Sequence, residues 1–242
     1  MRGLSASDIV DLWEQGRGLG NASRALAILA SADPEIAMDG LMALRVGQRD
    51  AMLLDVRART FGTELEAVAI CPACGALVGV TLSTGDLAPL EEAVPRLAEP
   101  VERALCNRQM MLRPVTAADL VAVEREPDVE ASRQALLRRC VLLSDRDPDL
   151  ELTAELAKAV EEALEALDNG ALTELMTSCP ACKRGVAMPF DAATFLWEEI
   201  VSHARKILYD VSALAQRYHW SEGEILSMSA ARRQFYLRIP EA

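Results

Sequence analysis

Aromatic side chains make up only 4% of this 242-residue chain, and histidine occurs twice, at His203 and His219. With so few large rings, Ala, Leu and Val must fill the core, and Ala and Leu favour helix. No apolar run approaches the ~20 residues that a bilayer-spanning helix needs. No Lys/Arg run exceeds two residues, and the formal net charge is −12. Such a chain repels phosphate backbones and anionic membranes, so nucleic acid is a disfavoured partner and a membrane is not expected. The opening Met1-Arg2-Gly3-Leu4-Ser5 leads into an amphipathic stretch, not the apolar centre of a signal peptide. The expectation is a cytoplasmic protein in a reducing setting, where disulfides are uncommon.

Catalytic signatures are also missing. There is no Gly-x-Ser-x-Gly elbow. Gly16, Gly18 and Gly20 alternate in a loop, without the strand before and helix after that a phosphate loop requires. His203 is expected on the polar side of a long helix and His219 in a turn, both solvated or capping. Acidic residues are spread over helix faces as solvated charge would be. The reading is a protein with no catalytic residues and no small-molecule substrate.

What is present begins with six cysteines and 51% apolar residues, enough for a sizeable core. Two Cys-Pro-Ala-Cys elements occur, Cys71-Pro72-Ala73-Cys74-Gly75 and Cys179-Pro180-Ala181-Cys182-Lys183. Thiolates two residues apart reach one tetrahedral ion when the backbone turns tightly between them; Pro fixes φ, and Gly75 tolerates the conformation that follows. A structural zinc takes four ligands, so the two knuckles are expected to share one Zn²⁺ through Cys71, Cys74, Cys179 and Cys182. Such a closed site leaves no coordination position for chemistry.

Short β-prone runs flank both knuckles, placing each at the tip of a hairpin. The segments read as a diverged internal repeat, each continuing into an acidic cap, Asp86 in one and Asp191 in the other. The knuckles are 104 residues apart (75 to 178), against roughly 15–20 in common four-cysteine ribbons. A folded insertion with neighbouring ends must therefore separate them. A thioredoxin-like redox motif is the competing reading, but it usually opens a helix in a βαβ unit rather than joining two strands. Cys106 and Cys140 read as small core residues.

Helix starts are marked by capping boxes and hydrophobic staples: Ser5 with Asp8, Thr116 with Asp119, Ser221 with Glu224, and Asp191 with the Phe190/Phe195 staple. Residues 1–62 read as three short helices, the last closed by Gly62. The split ribbon takes 63–82 and 171–190. The helical insertion takes 83–170, with a Pro- and Glu-rich opening, an extended Gln109–Pro114 stretch, and helices over 117–125, 128–143 and 153–167, broken at 145–149. The apolar period over 191–218 predicts a helix roughly 40 Å long, followed by short helices over 222–228 and 230–238 within the C-terminal region 191–242. The fold class is mainly α with a small β zinc ribbon, α+β, behaving as one cooperative unit. Trp220, Arg232, Arg233, Phe235 and Tyr236 are candidate partner-binding residues, with packing of Trp220 and Tyr236 on the long helix as the equal alternative.

An ordered set of motifs carries a family resemblance. They are Arg45-Val46-Gly47-Gln48-Arg49-Asp50-Ala51-Met52-Leu53-Leu54, Arg59-Thr60-Phe61-Gly62 with the first knuckle, and Leu112-Arg113-Pro114-Val115-Thr116-Ala117-Ala118-Asp119-Leu120. The second knuckle with Phe195-Leu196-Trp197 follows, then Tyr218-His219-Trp220-Ser221-Glu222-Gly223-Glu224-Ile225-Leu226 with Arg232-Arg233-Gln234-Phe235-Tyr236. Together they resemble the baseplate hub assembly chaperone family of T-even-type contractile phages, in the form found with phage-tail-like contractile injection systems. The chain departs from that pattern at Lys183-Arg184, where a Gly often follows the second knuckle. The resemblance implies a non-enzymatic assembly chaperone or minor baseplate component in a bacterial host cell, whose partners are baseplate or hub proteins. It leaves open whether the protein remains in the particle. The alternative from the residues is a zinc-ribbon adaptor for nucleic acid or transcription machinery.

Overall fold

Ser5 begins the first helix by accepting a hydrogen bond from the Asp8 backbone N–H at 3.2 Å while the Asp8 carboxylate accepts from the Ser5 N–H at 2.7 Å. This closes the reciprocal box that the sequence spells out. The structure is a computed structural model describing residues 1–87, 99–142, 152–168, 170–171 and 173–239. Most of the Pro- and Glu-rich opening of the insertion, the 145–149 breaker and positions 169 and 172 lie outside the described residues.

Four helices rather than three occupy the N-terminal region: α1 (Ala6–Gly16), α2 (Asn21–Ala32), α3 (Met38–Met42) and α4 (Val46–Phe61). The additional α3 has 5 residues, too few to display a helical period in sequence. Gly62 ends α4 at φ +99°, where a side chain would be strained. The first hairpin follows as β1 (Glu64–Ile70) and β2 (Leu77–Ser83). Asp86 is the third residue of the one-turn helix α5 (Thr84–Leu87), which follows Ser83.

The insertion holds β3 (Val101–Leu105), β4 (Arg108–Leu112), α6 (Ala117–Val123), α7 (Val129–Cys140), β5 (Val141–Leu142) and α8 (Ala154–Leu167). β3 lies ahead of the expected extended stretch and pairs with β4 as a hairpin. Its two-residue turn is Cys106–Asn107, with φ of +47° and +62°. Positive φ at both positions matches the strand twist, and it puts Cys106 at the surface, contrary to its expected core role. Cys140 is buried as expected.

The second hairpin, β6 (Thr173–Ser178) and β7 (Gly185–Phe190), leads into α9 (Ala192–Tyr218), 27 residues long. Asp191 caps α9 by accepting from the Thr194 N–H at 2.6 Å, and the Phe190 and Phe195 rings form the staple with centroids 5.5 Å apart. α10 (Glu222–Leu226) and α11 (Ala230–Arg238) close the described chain. Among the described residues the sheets are three antiparallel pieces, ordered β1-β2, β3-β4-β5 and β6-β7, on a mainly helical frame. No helix among them is long and apolar enough to cross a membrane.

The larger core is built around α9, whose Leu196, Trp197, Ile200, Ala204 and Ile207 meet the apolar faces of α1, α2 and α4. Leu65, Val78, Leu175, Val186 and Met188 bring the inner faces of both hairpins into that core. A smaller core, with Leu112, Leu137, Cys140, Leu156 and Val160, lies wholly within the insertion. Half-buried polar links run along and between the two. Asp119 accepts from Arg113 at 2.5 and 2.8 Å and from Arg139 at 2.8 Å, Glu124 accepts from Ser23 at 2.7 Å, and Asp168 accepts from the Gly47 N–H at 2.9 Å.

Candidate metal centre

Each Cys-Pro-Ala-Cys element joins two paired strands, and the backbone makes the same turn twice. Cys71 N–H donates to Ala76 O at 2.8 Å and Gly75 N–H to Cys71 O at 2.9 Å; Cys179 N–H donates to Arg184 O and Lys183 N–H to Cys179 O, both at 2.9 Å. Gly75 takes φ +73° and Lys183, at the equivalent place, φ +61°. The departure at Lys183 thus keeps the knuckle's backbone at the cost of a left-handed lysine.

The structure brings all four predicted ligands together. Their sulfur atoms lie within 4.8 Å of one another, and no other cluster of three or more His, Cys, Asp or Glu side chains able to hold a metal occurs among the described residues. Cys71 Sγ is 3.7 Å from Cys182 Sγ, and Cys74 Sγ is 3.6 Å from Cys179 Sγ. A tetrahedral ion bonded to sulfur at about 2.3 Å sets its sulfurs about 3.8 Å apart, whereas a disulfide requires about 2.05 Å. The close pairs run between knuckles, so the site ties one hairpin to the other. Cys71 and Cys179 are buried against the core, Cys182 is half-buried and Cys74 faces solvent.

The knuckle backbone also supplies charge stabilisation that residue types alone do not reveal. The N–H groups of Cys182 and Ala181 point at Cys179 and pull its thiol down to about 6. The Ala76 N–H favours the Cys74 thiolate, but bonding to the Cys179 and Cys182 sulfurs outweighs it and pushes Cys74 up to about 12. Four thiols this close cannot all ionise unless a cation takes up the charge, so the donor set and its spacing suit a metal ion.

Neither histidine joins the cluster. His203 stacks on Phe61, with ring centroids 4.2 Å apart, and is half-buried rather than fully on a polar face. His219 caps α9 in the left-handed region at φ +59°. The candidate partner-binding residues divide. Trp220 stacks on Tyr218 at 4.5 Å and meets Tyr236 edge-on at 4.9 Å, so both rings pack against the end of α9. Arg233 is 4% exposed and donates to Met228 O at 2.6 Å. Arg232 and Phe235 remain at the surface, Phe235 at 65% exposure.

Compared with protein-family models, curated proteins and solved structures, the chain matches none.

Proposed function

We propose that the four-cysteine cluster holds one structural Zn²⁺ and that the protein is a non-enzymatic assembly factor, or minor structural component, for the baseplate of a contractile tail-like particle. The observation that carries the zinc reading is the sulfur arrangement: four thiols from two hairpins within 4.8 Å of one another. Thiolate-only ligation suits zinc, and four protein ligands leave no open position for a substrate or a metal-bound water. The ion would act as a clasp, neutralising the thiolates and fixing the hairpins, while the binding function resides on the surfaces so positioned.

The assembly role rests on the ordered motif resemblance, and the acidic chain with a closed metal site is compatible with it. Co-purification tests it. The tagged full chain, expressed with its neighbouring tail genes, should recover a baseplate or hub protein; recovery of no tail protein would remove this reading. Elemental analysis tests the metal separately, with one zinc per chain expected.

A further inference from the structure

β1 and β7, each with one edge unpaired, line an open groove of about 550 Å³. β1 contributes Glu66 to Ile70, β7 contributes Val186 to Phe190 and β6 contributes Leu175 alone, whereas no described residue of β2 lines it. No hydrogen bond joins the two hairpins' strands among the described residues, so each hairpin is a separate two-stranded sheet and each of its strands keeps one unpaired edge, those of β1 and β7 being the ones beside the groove.

The register identifies the backbone groups on that side. Cys71 N–H bonds to Ala76 O and Thr84 N–H to Thr63 O, so the odd-numbered residues of β1 are the ones bonded to β2. The N–H and C=O groups of Glu64, Glu66, Val68 and Ile70 therefore point to the free edge. By the same logic Cys179 with Arg184 fixes β6–β7, and the free edge of β7 carries Gly185, Ala187 and Pro189. Pro189 has no N–H, so β7 is guarded against a further strand, while β1 has no such block.

Chemistry restricts the occupant. The outer face beside this edge is apolar toward the knuckle, with Val68, Ile70 and Leu77 exposed at 69%, 67% and 69%, and acidic toward the other end, where Glu64 and Glu66 are exposed. The charged residues lining the groove, Glu66, Asp191 and Glu198, are all acidic. A second copy of the chain would bring its own glutamates and a net charge of −12 to the same edge, which disfavours self-pairing.

We infer that the β1 edge is a docking site for an extended segment of another protein, with apolar residues in alternation and basic residues flanking them, which adds to β1 as a third strand. Main-chain hydrogen bonds to Glu64, Glu66, Val68 and Ile70 would give affinity, and the acidic rim would select the basic flanks. This deepens the assembly-factor reading by naming the kind of partner segment, and it rests on that reading only for the existence of a protein partner.

The test selects a random library of peptides about twelve residues long on the zinc-loaded full chain. A consensus alternating apolar residues with lysine or arginine is expected. A synthetic consensus peptide should lose about tenfold or more in affinity to Val68→Pro, which removes one edge N–H without touching the β2 ladder. It should lose a similar factor when its alternate amides are N-methylated in one phase but not the other, and to the double charge reversal E66K/E198K. The methylated peptides decide the matter if Val68→Pro fails to fold. No enrichment, an acidic consensus, or binding indifferent to backbone methylation overturns the inference. Peptide binding without recovery of any tail protein would instead leave the docking site standing and remove the baseplate reading.

Discussion

The Cys71 sulfur lies 3.7 Å from that of Cys182, 111 residues further along the chain. The first cysteine of one knuckle faces the second of the other, and Cys74 and Cys179 repeat the relationship at 3.6 Å. An ion held by these sulfurs would therefore couple to closure of the whole intervening segment rather than to a local loop.

Cys71→Ser and Cys179→Ser should each abolish stoichiometric zinc and lower Tm. A loss of about 5 kcal/mol corresponds to roughly 10–20 °C in a chain of this size. Thermal melts with parallel elemental analysis check this. If mutation of only one knuckle mattered, a shared ion would be untenable.

Asp119 should set part of the acid limb of stability. Burial alone would raise its carboxyl, but hydrogen bonds from Arg113, Thr116 and Arg139 outweigh it and hold the group well below the usual carboxylate range. A depressed carboxyl stabilises the fold above its unfolded value of about 3.9, and that contribution fades as pH falls below it. Asp119→Asn should cost about 2–3 kcal/mol at neutral pH, discounted for the partial exposure of Arg113 and Arg139, and flatten the loss of stability below about pH 4. Urea titrations at several pH values would show it; a constant cost across the acid limb would contradict the ion-pair account.

The two knuckles should respond oppositely to glycine exchange. Lys183 sits at φ +61° and Gly75 at φ +73°, with open space where a Gly75 Cβ would go. Gly75→Ala should cost about 1 kcal/mol from backbone strain alone. Lys183→Gly relieves that strain at some cost in chain entropy, so a change between zero and about +1 kcal/mol is expected. Denaturant midpoints measure both, and a clear destabilisation by Lys183→Gly would count against the strained lysine.

Gly16 should resist the substitution that helix propensity favours. A Cβ there would come within 2.3 Å of the Trp197 ring, which is itself only 6% exposed. Gly16→Ala gains about 1 kcal/mol of propensity but overpacks a buried ring, for a net loss of about 1–2 kcal/mol. A stabilised variant in equilibrium unfolding would show that Trp197 can move aside.

On the C-terminal helices, packing and docking should separate by residue. Phe235→Ala should change stability by less than about 0.5 kcal/mol, because the ring is 65% exposed, and any effect should appear in partner recovery. Arg233→Ala should cost about 2–3 kcal/mol, since the buried guanidinium anchors Met228 O and lies 4.0 Å from Asp210. Equal effects of the two on folding would place Phe235 in the core.

The sequence by itself determined what depends on neighbours a few residues away. Ser5, Asp191 and Ser221 announce their helices because a cap acts within one turn, and the 27-residue α9 is legible because its apolar period runs unbroken. The four-cysteine cluster was legible for a similar reason, since each Cys-Pro-Ala-Cys turn is local and two half-clusters imply one another. Only the tertiary structure decided how distant pieces meet. It set the sulfurs of the two knuckles edge to edge, placed Trp197 over Gly16, and buried Arg233 while leaving Phe235 outside. It also made the hairpin that turns at Cys106 and left the β1 edge unpaired. Those outcomes depend on which surfaces are complementary once long loops close, and no short-range pattern encodes them.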